Sequence, residues 1–294
     1  MITNNKVFNG CAYALMALLV IACLVPFWLL FASSFTDESV LLLQGYSLFP
    51  RQLSLSTYQY LWAARSGVLR AYLMSIIITT IGVSANVTLT TLFAYPLSRK
   101  DLPGRGVLAF IIFFTMLFNG GLVPTYMVYT RMVGLQDTIW AMIVPNLLMN
   151  AFYIIMMRSY INSNISDEII ESARIDGANE LRCLTSIVLP MCKPIIGTLA
   201  LMSLIAYWNN WTNGMYYIQT RRELLGIQNY LMTVLNSSQA LQAQASQGLV
   251  DIKKVPSVSL RMALAVVAVI PVLIMYPFFQ KSFVKGITLG SVKG

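Results

Sequence analysis

The stretch Glu171–Pro190 reads ESARIDGANELRCLTSIVLP and stands between long apolar runs. It holds five charged residues, Glu171, Arg174, Asp176, Glu180 and Arg182. The whole chain is 57% hydrophobic and only 11% charged, against roughly 25% charged residues in a soluble domain. A chain of 294 residues cannot bury so much apolar surface in one core, so lipid is the expected solvent. The charged stretch therefore interrupts a membrane protein.

Several kinds of site are disfavoured by what the sequence lacks. The net charge of +9 comes from scattered Lys and Arg without a dense basic tract, which argues against nucleic-acid binding. The chain has no histidine and no CxxC, so we expect neither a metal site nor a catalytic residue. No phosphate-binding GxxxxGK[ST] motif is present, and we expect no cofactor on this chain. All eleven acidic residues fall in loops or at span edges, which disfavours an ion-coupled carrier.

Six candidate membrane spans can be identified, because several apolar runs reach the roughly 18–20 residues that cross a bilayer. Helices are expected, since every backbone group inside lipid needs an internal partner. The spans are about residues 11–35, 70–95, 106–130, 138–158, 193–212 and 259–280. The first could be a cleaved signal peptide, but its apolar run exceeds the usual ~7–15 residues and favours a retained helix. We predict one all-α transmembrane domain over residues 1–294.

Short loops predict the orientation of the spans, because Lys and Arg concentrate in short cytosolic loops. Arg99, Lys100 and Arg105 lie between the second and third spans. The tail, about residues 281–294, adds three lysines and no acid. Both termini are therefore expected in the cytosol, together with the loop at about residues 159–192. Residues 213–258 form a long external loop, which contains a Ser/Gln/Ala-rich stretch (Ser237–Gly248) that we expect to be flexible.

The interrupting stretch has the signals of two short helices. Ser166 is a candidate N-cap, and the first helix is predicted to end at about Asp176, where Gly177 can adopt the left-handed conformation. A second helix should present Leu181, Leu184 and Ile187 or Val188 on one face. The alternative is a connector lying on the membrane surface, but the first helix is mainly acidic and would be repelled by anionic lipid. A short acidic helix suits docking into a protein groove better.

The spacing of this stretch resembles the EAA loop of ABC importer permeases. Glu171-Ser172-Ala173, Gly177 and the Ile187-x-Leu189-Pro190 ending match the family pattern E-A-A, three residues, G, nine residues, I-x-L-P. The one departure is Ser172, which replaces the middle alanine of the pattern. ARIDGA (Ala173–Ala178) is similar to the carbohydrate-uptake branch. Permeases for complex oligosaccharides have stretches similar to NGGLVPTYMV (Asn119–Val128), GLQDTIWAMIVP (Gly134–Pro145) and AYWNNW (Ala206–Trp211). The ending GSVKG (Gly290–Gly294) resembles the tail of a permease of the maltose type.

This resemblance implies a six-span permease with a coupling helix that a cytosolic ATPase holds in a cleft. It assigns ATPase coupling to Glu171, Ser172, Ala173, Asp176, Gly177, Ala178, Leu189 and Pro190. It also suggests that the tail, with Gly290, Lys293 and Gly294, reaches the ATPases; a disordered tail with a topology lysine is the alternative. The implied partners are a second permease, two ABC ATPases that carry ATP and Mg, and an extracellular solute-binding protein. The implied location is the bacterial cytoplasmic membrane.

Planar amides and aromatic faces inside the spans are candidates for the substrate pathway, because both groups bind sugars. The candidates are Asn119, Gly120, Gly121, Asn146, Asn150, Tyr207, Trp208, Asn209, Asn210 and Trp211. The aromatics could instead form an interfacial belt, and the amides could bond between helices. Asn119–Gly121 is predicted to break the third span. An ABC permease for a sugar or oligosaccharide is the main hypothesis; a non-sugar importer and an ion-coupled carrier are the alternatives.

Overall fold

The computed structural model describes residues 6–63, 65–246 and 258–291. In this part of the chain the backbone forms helices and turns, with one isolated antiparallel bridge between Thr36 and Leu53. The chain divides into two compact units. The first comprises residues 1–68 and 231–271, and the second comprises residues 69–230 and 272–294.

The first unit begins with a long apolar helix, α1 (Lys6–Ser34), whose side chains are almost all exposed, as expected for a helix surrounded by lipid. Two short helices follow it, α2 (Glu38–Gln44) and α3 (Ser56–Ala63). Asp37 begins α2 by accepting a hydrogen bond from the Ser39 N–H. The unit also holds most of α14 (Ile227–Ser246) and the first part of α15 (Val258–Ser291).

The Glu38 carboxylate closes the first unit by capping α15. It accepts the N–H groups of Val258 (2.8 Å) and Ser259 (2.9 Å) and the Ser259 hydroxyl (2.7 Å). Thr57, from α3, donates its hydroxyl to the same Ser259 oxygen (2.9 Å). A carboxylate at a helix N-terminus satisfies free N–H groups and suits the positive end of the helix dipole.

The second unit contains the longest predicted span and the charged stretch. Its helices are α4 (Arg65–Ser98), α5 (Arg105–Leu117), α6 (Leu122–Met127), α7 (Trp140–Ile143), α8 (Ala151–Asn164), α9 (Asp167–Ile175), α10 (Glu180–Arg182), α11 (Leu189–Met191), α12 (Lys193–Trp208) and α13 (Thr212–Tyr217). Helix α6 continues as a π-helical turn, Val128–Met132, and α10 and α11 are joined by another, Cys183–Val188.

Three helical segments of the described chain are long and apolar enough to cross a membrane: Phe8–Ser34, Arg65–Ser98 and Val258–Met275. Two bent pairs qualify if each pair is one span. Helix α5 meets α6 and its π-helical turn at 115°, and the segment Glu180–Met191 meets α12 at 80°. The break before α6 lies at Asn119–Gly121, as predicted from the sequence, because Gly121 adopts φ +87°.

Three regions of the chain differ from what the sequence suggested. The fourth span, about residues 138–158, is two helices separated at residues 144–150, where Pro145 precedes Asn146 at φ +62°. The stretch expected to be flexible after Ser237 is helical to Ser246, because Ala, Gln and Leu favour helix. A disordered tail was one of the two alternatives for residues 281–294, whereas α15 continues through Ser291.

Candidate coupling site and substrate pathway

The turn after α9 is built as the sequence predicts. Gly177 has φ +82°, its N–H bonds the Arg174 carbonyl (3.0 Å), and the Ala178 N–H bonds the Ala173 carbonyl (2.9 Å). This pair of bonds is the Schellman arrangement that ends a helix at a left-handed residue. Ser166 occupies the N-cap position, but its side chain makes no capping hydrogen bond, which differs from the prediction.

The predicted coupling residues divide between two faces of the loop. Ile170 is buried, and Ala173 and Ala178 pack against the core of the second unit. Glu171, Ser172, Asp176 and Gly177 are exposed on the other face, beside Ile175, which is 86% exposed. No lysine or arginine forms an ion pair with Glu171 or Asp176 in the described part of the chain. The outer face therefore offers two free carboxylates and one apolar side chain.

Ser172 keeps its hydroxyl within α9. The Oγ atom donates to the carbonyls of Glu168 (2.9 Å) and Ile169 (3.1 Å), one turn earlier in the helix. The substitution of serine for a smaller residue therefore adds no unsatisfied polar group to the exposed face.

The second arm of the loop packs through a face slightly different from the prediction. Asn179 caps α10 by accepting the Arg182 N–H (2.8 Å). Leu184 and Val188 are buried, as predicted, together with Cys183, but Leu181 is 65% exposed. The π-helical turn over Cys183–Val188 changes which residues share a face, which explains the difference at Leu181. Leu189 packs against the core, and Pro190 is exposed.

Arg174 joins both arms of the loop to the end of α4. Its guanidinium binds the Asp101 carboxylate (Nη1 to Oδ2, 2.9 Å) and the Glu180 carboxylate (Nε to Oε1, 2.8 Å). Tyr95, on α4, donates its hydroxyl to the other Glu180 oxygen (2.6 Å). A single arginine therefore connects α9, α10 and the turn between α4 and α5.

Further ion pairs secure the same contact. Arg99 donates to Asp101 (Nη2 to Oδ2, 3.2 Å); its Nε, 3.2 Å from Oδ1, is within ion-pair range but makes no hydrogen bond. Arg99 and then Arg174 lower the pKa of Asp101 from 3.8 to about 2. Lys100 pairs with Asp167 on α9 (2.7 Å) and lowers the pKa of that carboxyl group. The carboxylates of Asp101 and Asp167 are about half exposed, so each pair contributes little stability alone, and their geometry matters more.

The unwound segment at residues 144–150 is held by side chains from neighbouring elements. The buried Asn86 amide donates to the carbonyls of Leu147 (2.8 Å) and Leu148 (3.1 Å), and its oxygen accepts the Ser203 hydroxyl (2.7 Å). Tyr207 donates to the Ile143 carbonyl (3.0 Å), and Asn213 donates to the Pro145 carbonyl (3.0 Å). Non-helical backbone at membrane depth is stable only where such partners exist.

The structure separates the pathway candidates into three groups. Asn119 and Asn150 serve local turns, because their side chains accept the N–H groups of Gly121 and Phe152 (2.9 Å each). Tyr207 and Trp208 are buried, so their packing is that of core residues. Asn146, Asn209, Asn210, Trp211, Gly120 and Gly121 remain as exposed or partly exposed candidates.

Asn210 differs from the other amides, because its Nδ2 atom is buried and has no partner among the described residues. Its oxygen accepts from Thr212 (2.9 Å) and from the Asn213 N–H (3.2 Å), which fixes the orientation of the amide. Asn146 is exposed at the tip of the unwound segment, and no hydrogen bond to it occurs in the described chain. These two amides have free hydrogen-bonding capacity.

A model of one transport family covers most of this chain. The family is described as the binding-protein-dependent transport system inner membrane component, and its model matches residues 60–289. The chain belongs to this family. Two relatives of this inner membrane component occur in Bacillus subtilis (strain 168). The polygalacturonan/rhamnogalacturonan transport system permease protein YtcP is 37% identical, over 99% of this chain and 100% of its own length. Protein LplC is 33% identical, over 99% of this chain and 96% of its own length.

A solved structure supports the same fold for this inner membrane component. It is the crystal structure of a bacterial ABC transporter involved in the import of the acidic polysaccharide alginate. One of its chains is 28% identical and superposes with a TM-score of 0.79, covering 96% of this chain and 99% of that chain. The predicted all-α fold of an ABC importer permease is therefore confirmed, and the chain is the membrane component of a transport system.

The sequence did not indicate several residues that build this inner membrane component. Asn86 and Ser203 lie in long apolar spans, and their polar side chains are the signal that was available. Tyr95, Asp101 and Glu180 join the coupling loop to α4, and Asp101 stands in the sequence as one acid within a basic turn. The opposite charges of Asp101 and Arg174 were visible, but their sequence separation gave no sign of contact.

Proposed function

We propose that this chain is the permease subunit of an ABC importer for an oligosaccharide, driven through the loop Glu171–Pro190. The coupling loop is the observation that carries the proposal. One face of α9 is fixed to the second unit through Ile170 and Arg174, while the opposite face presents Glu171, Asp176 and Ile175 without partners in the described chain. A short helix held on one side and free on the other suits a partner's groove.

The proposed assembly pairs this chain with a second permease, two copies of an ABC ATPase and an extracellular solute-binding protein. ATP and Mg bind the ATPases, and this chain performs no hydrolysis. The complex lies in the bacterial cytoplasmic membrane with the coupling loop and both termini in the cytosol. Gly290 lies in the last turn of α15, next to Ser291, while Lys293 and Gly294 lie outside the described residues. Contact between this tail and the ATPases remains part of the proposal.

The proposed substrate is an oligosaccharide, with fragments of acidic polysaccharides as the first to test. The names of YtcP and of the alginate transporter support this choice. Within the chain, Asn146, Asn209 and Asn210 are the amides placed to meet a sugar, because the other candidates serve turns or the core. Amides suit this role, since they both donate and accept hydrogen bonds.

Reconstitution of the complete complex tests the proposal. The cognate binding protein is first screened for binding of oligogalacturonates, alginate oligomers and neutral malto-oligosaccharides. We then expect the ligand that binds to stimulate ATP hydrolysis and to be taken up into vesicles. Stimulation by a non-sugar solute alone would overturn the assignment to sugars. Uptake driven by an ion gradient without ATP would overturn the assignment to ABC importers.

A further inference from the structure

An apolar groove of about 590 Å³ lies between α4, α5 and α8 within the second unit. Its walls are aliphatic or aromatic apart from Thr115, whose hydroxyl donates to the Ile112 carbonyl of its own helix. Leu92, Leu108 and Ile111 in the walls are roughly half exposed, so the groove is open along its side. A groove of this composition in a membrane protein suits an acyl chain.

Two arginines stand at one end of this groove. On α8, Ala151 and Ile154 line the groove, and Arg158 follows on the same helical face, four residues after Ile154. On α5, Leu108 lines the groove, and Arg105 precedes it by three residues on the same face. Arg105 is the first residue of α5, and Arg158 lies in the second half of α8. Because the two helices are antiparallel, both arginines lie at the end of the groove where α8 leads into the coupling loop.

Neither arginine has a carboxylate partner in the described chain. The Arg158 Nε atom is buried and makes no hydrogen bond. The two guanidinium groups are close enough to repel each other, and Lys100 is near enough to add to the repulsion. Lys100 is the one cation of the three with a carboxylate, Asp167, at 2.7 Å among the described residues. Two positive groups held together without an anion leave charge that an external anion would neutralise.

We propose that the groove between α4, α5 and α8 binds an anionic phospholipid, whose phosphate is held by Arg105 and Arg158. The apolar walls accept an acyl chain, and the arginines lie at the depth of the headgroup. Guanidinium groups bind phosphate through two parallel N–H donors, which a lysine cannot reproduce. A zwitterionic lipid fits less well, because its own cation would lie beside two arginines that have no carboxylate partner among the described residues. Basic pockets between membrane helices are known to select anionic headgroups.

The lipid comes from the cytosolic leaflet, a point that rests on the orientation proposed above. Its headgroup would sit beside the turn between α4 and α5, which also carries the Asp101 contact with Arg174. The lipid would therefore support the turn against which the coupling loop is fixed.

The experiment measures bound lipid on the assembled transporter. The complex is purified from membranes that contain phosphatidylglycerol, and retained lipids are detected by native mass spectrometry. We expect phosphatidylglycerol to remain on the wild type and on Arg131→Gln, which removes an exposed arginine outside the groove. We expect it to be lost from the double variant Arg105→Gln/Arg158→Gln and reduced in Arg105→Lys/Arg158→Lys.

A second variant separates the acyl chain from the headgroup. Ala151→Phe narrows the groove but keeps both arginines, so loss of the lipid from this variant indicates that the chain lies in the groove. Retention by Ala151→Phe, with loss from the double arginine variant, would indicate a phosphate site without a lipid groove and overturn the proposal. Equal retention by the wild type and the double arginine variant would also overturn it.

The alternative occupant of the groove is a helix of the partner permease. A photoreactive p-benzoylphenylalanine in place of Ile111 would crosslink under ultraviolet light to the partner subunit if that helix filled the groove. Such a crosslink in high yield overturns the lipid proposal. Lipid retention and the crosslink are both independent of transport, so this result stays separate from failure of the proposed sugar-importer function.

Discussion

Gly177 is the residue on which the shape of the coupling loop depends. A Cβ atom there would have no neighbour within 4 Å in the described chain, so a side chain meets no clash within the molecule. Its cost comes from the left-handed backbone alone, roughly 1 kcal/mol or more for most residues. Any larger functional effect must come from what the side chain meets on a partner.

We therefore predict that Gly177→Asp abolishes ATP-driven uptake while the chain still inserts and folds. Gly104 provides a matched control, because it has φ +71° and also has open space around its Cβ position. Uptake by reconstituted vesicles and thermal unfolding are measured for both variants. We expect Gly104→Asp to keep most of the uptake. Equal loss in both variants would show that the effect is on folding rather than on docking.

Asp137 is the second residue whose local contacts lead to a test. It has φ +53°, and its Oδ1 atom accepts the N–H groups of Gln219 (2.7 Å), Thr220 (2.9 Å) and Arg221 (3.2 Å). The bond from Thr220 contributes most to lowering the pKa of Asp137 from 3.8 to about 2. A lowered pKa in the folded state means that the carboxylate stabilises the fold above 3.8.

We expect this contribution to be lost as the pH falls below 3.8 and through about 2. The melting temperature of wild type and Asp137→Asn is compared over that range, because Asn keeps the oxygen acceptor but does not titrate. The wild type should lose its advantage over Asp137→Asn in that window. Parallel pH curves would show that the three backbone bonds do not depend on the charge.

At the level of elements, the sequence predicted the coupling loop better than the spans. The end of α9 at Gly177 and the break at Asn119–Gly121 were predictable, because glycine and an Asn-Gly turn act locally. The separation of α7 from α8 was not predictable, because Pro145 and Asn146 stand in an apolar run that looks like one span. The unwound segment between these helices depends on Asn86 and Asn213, whose contacts are distant in sequence and cannot be read from local pattern.

The unwound segment should depend strongly on Asn86. Replacing it with Leu leaves two carbonyls and the Ser203 hydroxyl without partners, and each unsatisfied group costs about 1–3 kcal/mol. We predict a large fall in the thermal stability of detergent-purified Asn86→Leu. Ser203→Ala is the control and should cost less, about 1–3 kcal/mol, because it leaves only the Asn86 oxygen without a donor while the amide keeps its bonds to the segment. Similar losses in both variants would indicate that the carbonyls find other donors.

The contact between the coupling loop and α4 should transmit motion rather than stabilise the fold. We predict that Arg174→Gln retains its melting temperature within a few degrees, because its ion pairs are half exposed. Basal ATP hydrolysis of the complex should persist, while stimulation by the loaded binding protein should fall. Arg182→Gln, on the same loop without an ion pair in the described chain, is the control. Unchanged stimulation in Arg174→Gln would remove this contact from the coupling mechanism.

For the whole molecule, the composition predicted the class and the loops predicted an orientation. The family match from residue 60 to 289 leaves the direction of the chain in the membrane as a prediction. The coupling loop and the loop at Asp137 are expected on opposite sides, since the first is proposed to meet the ATPases.

Cysteine labelling tests this orientation. Asp176→Cys and Gln219→Cys are introduced after replacement of the exposed Cys11 and Cys23, while Cys183 and Cys192 are buried. In intact cells we expect an impermeant maleimide to label Gln219→Cys alone. Labelling of Asp176→Cys should require broken cells. The reverse pattern would place the coupling loop outside and contradict an ATPase contact.

The cap that Glu38 places on α15 has a consequence for biosynthesis. The carboxylate and the N–H groups it accepts are 220 and 221 positions apart in sequence. The cap cannot form during synthesis until the ribosome has released Val258 and Ser259 and these residues have reached the membrane. Contacts of such long sequence separation form late. The first helices of this permease therefore remain incompletely assembled until the last one inserts.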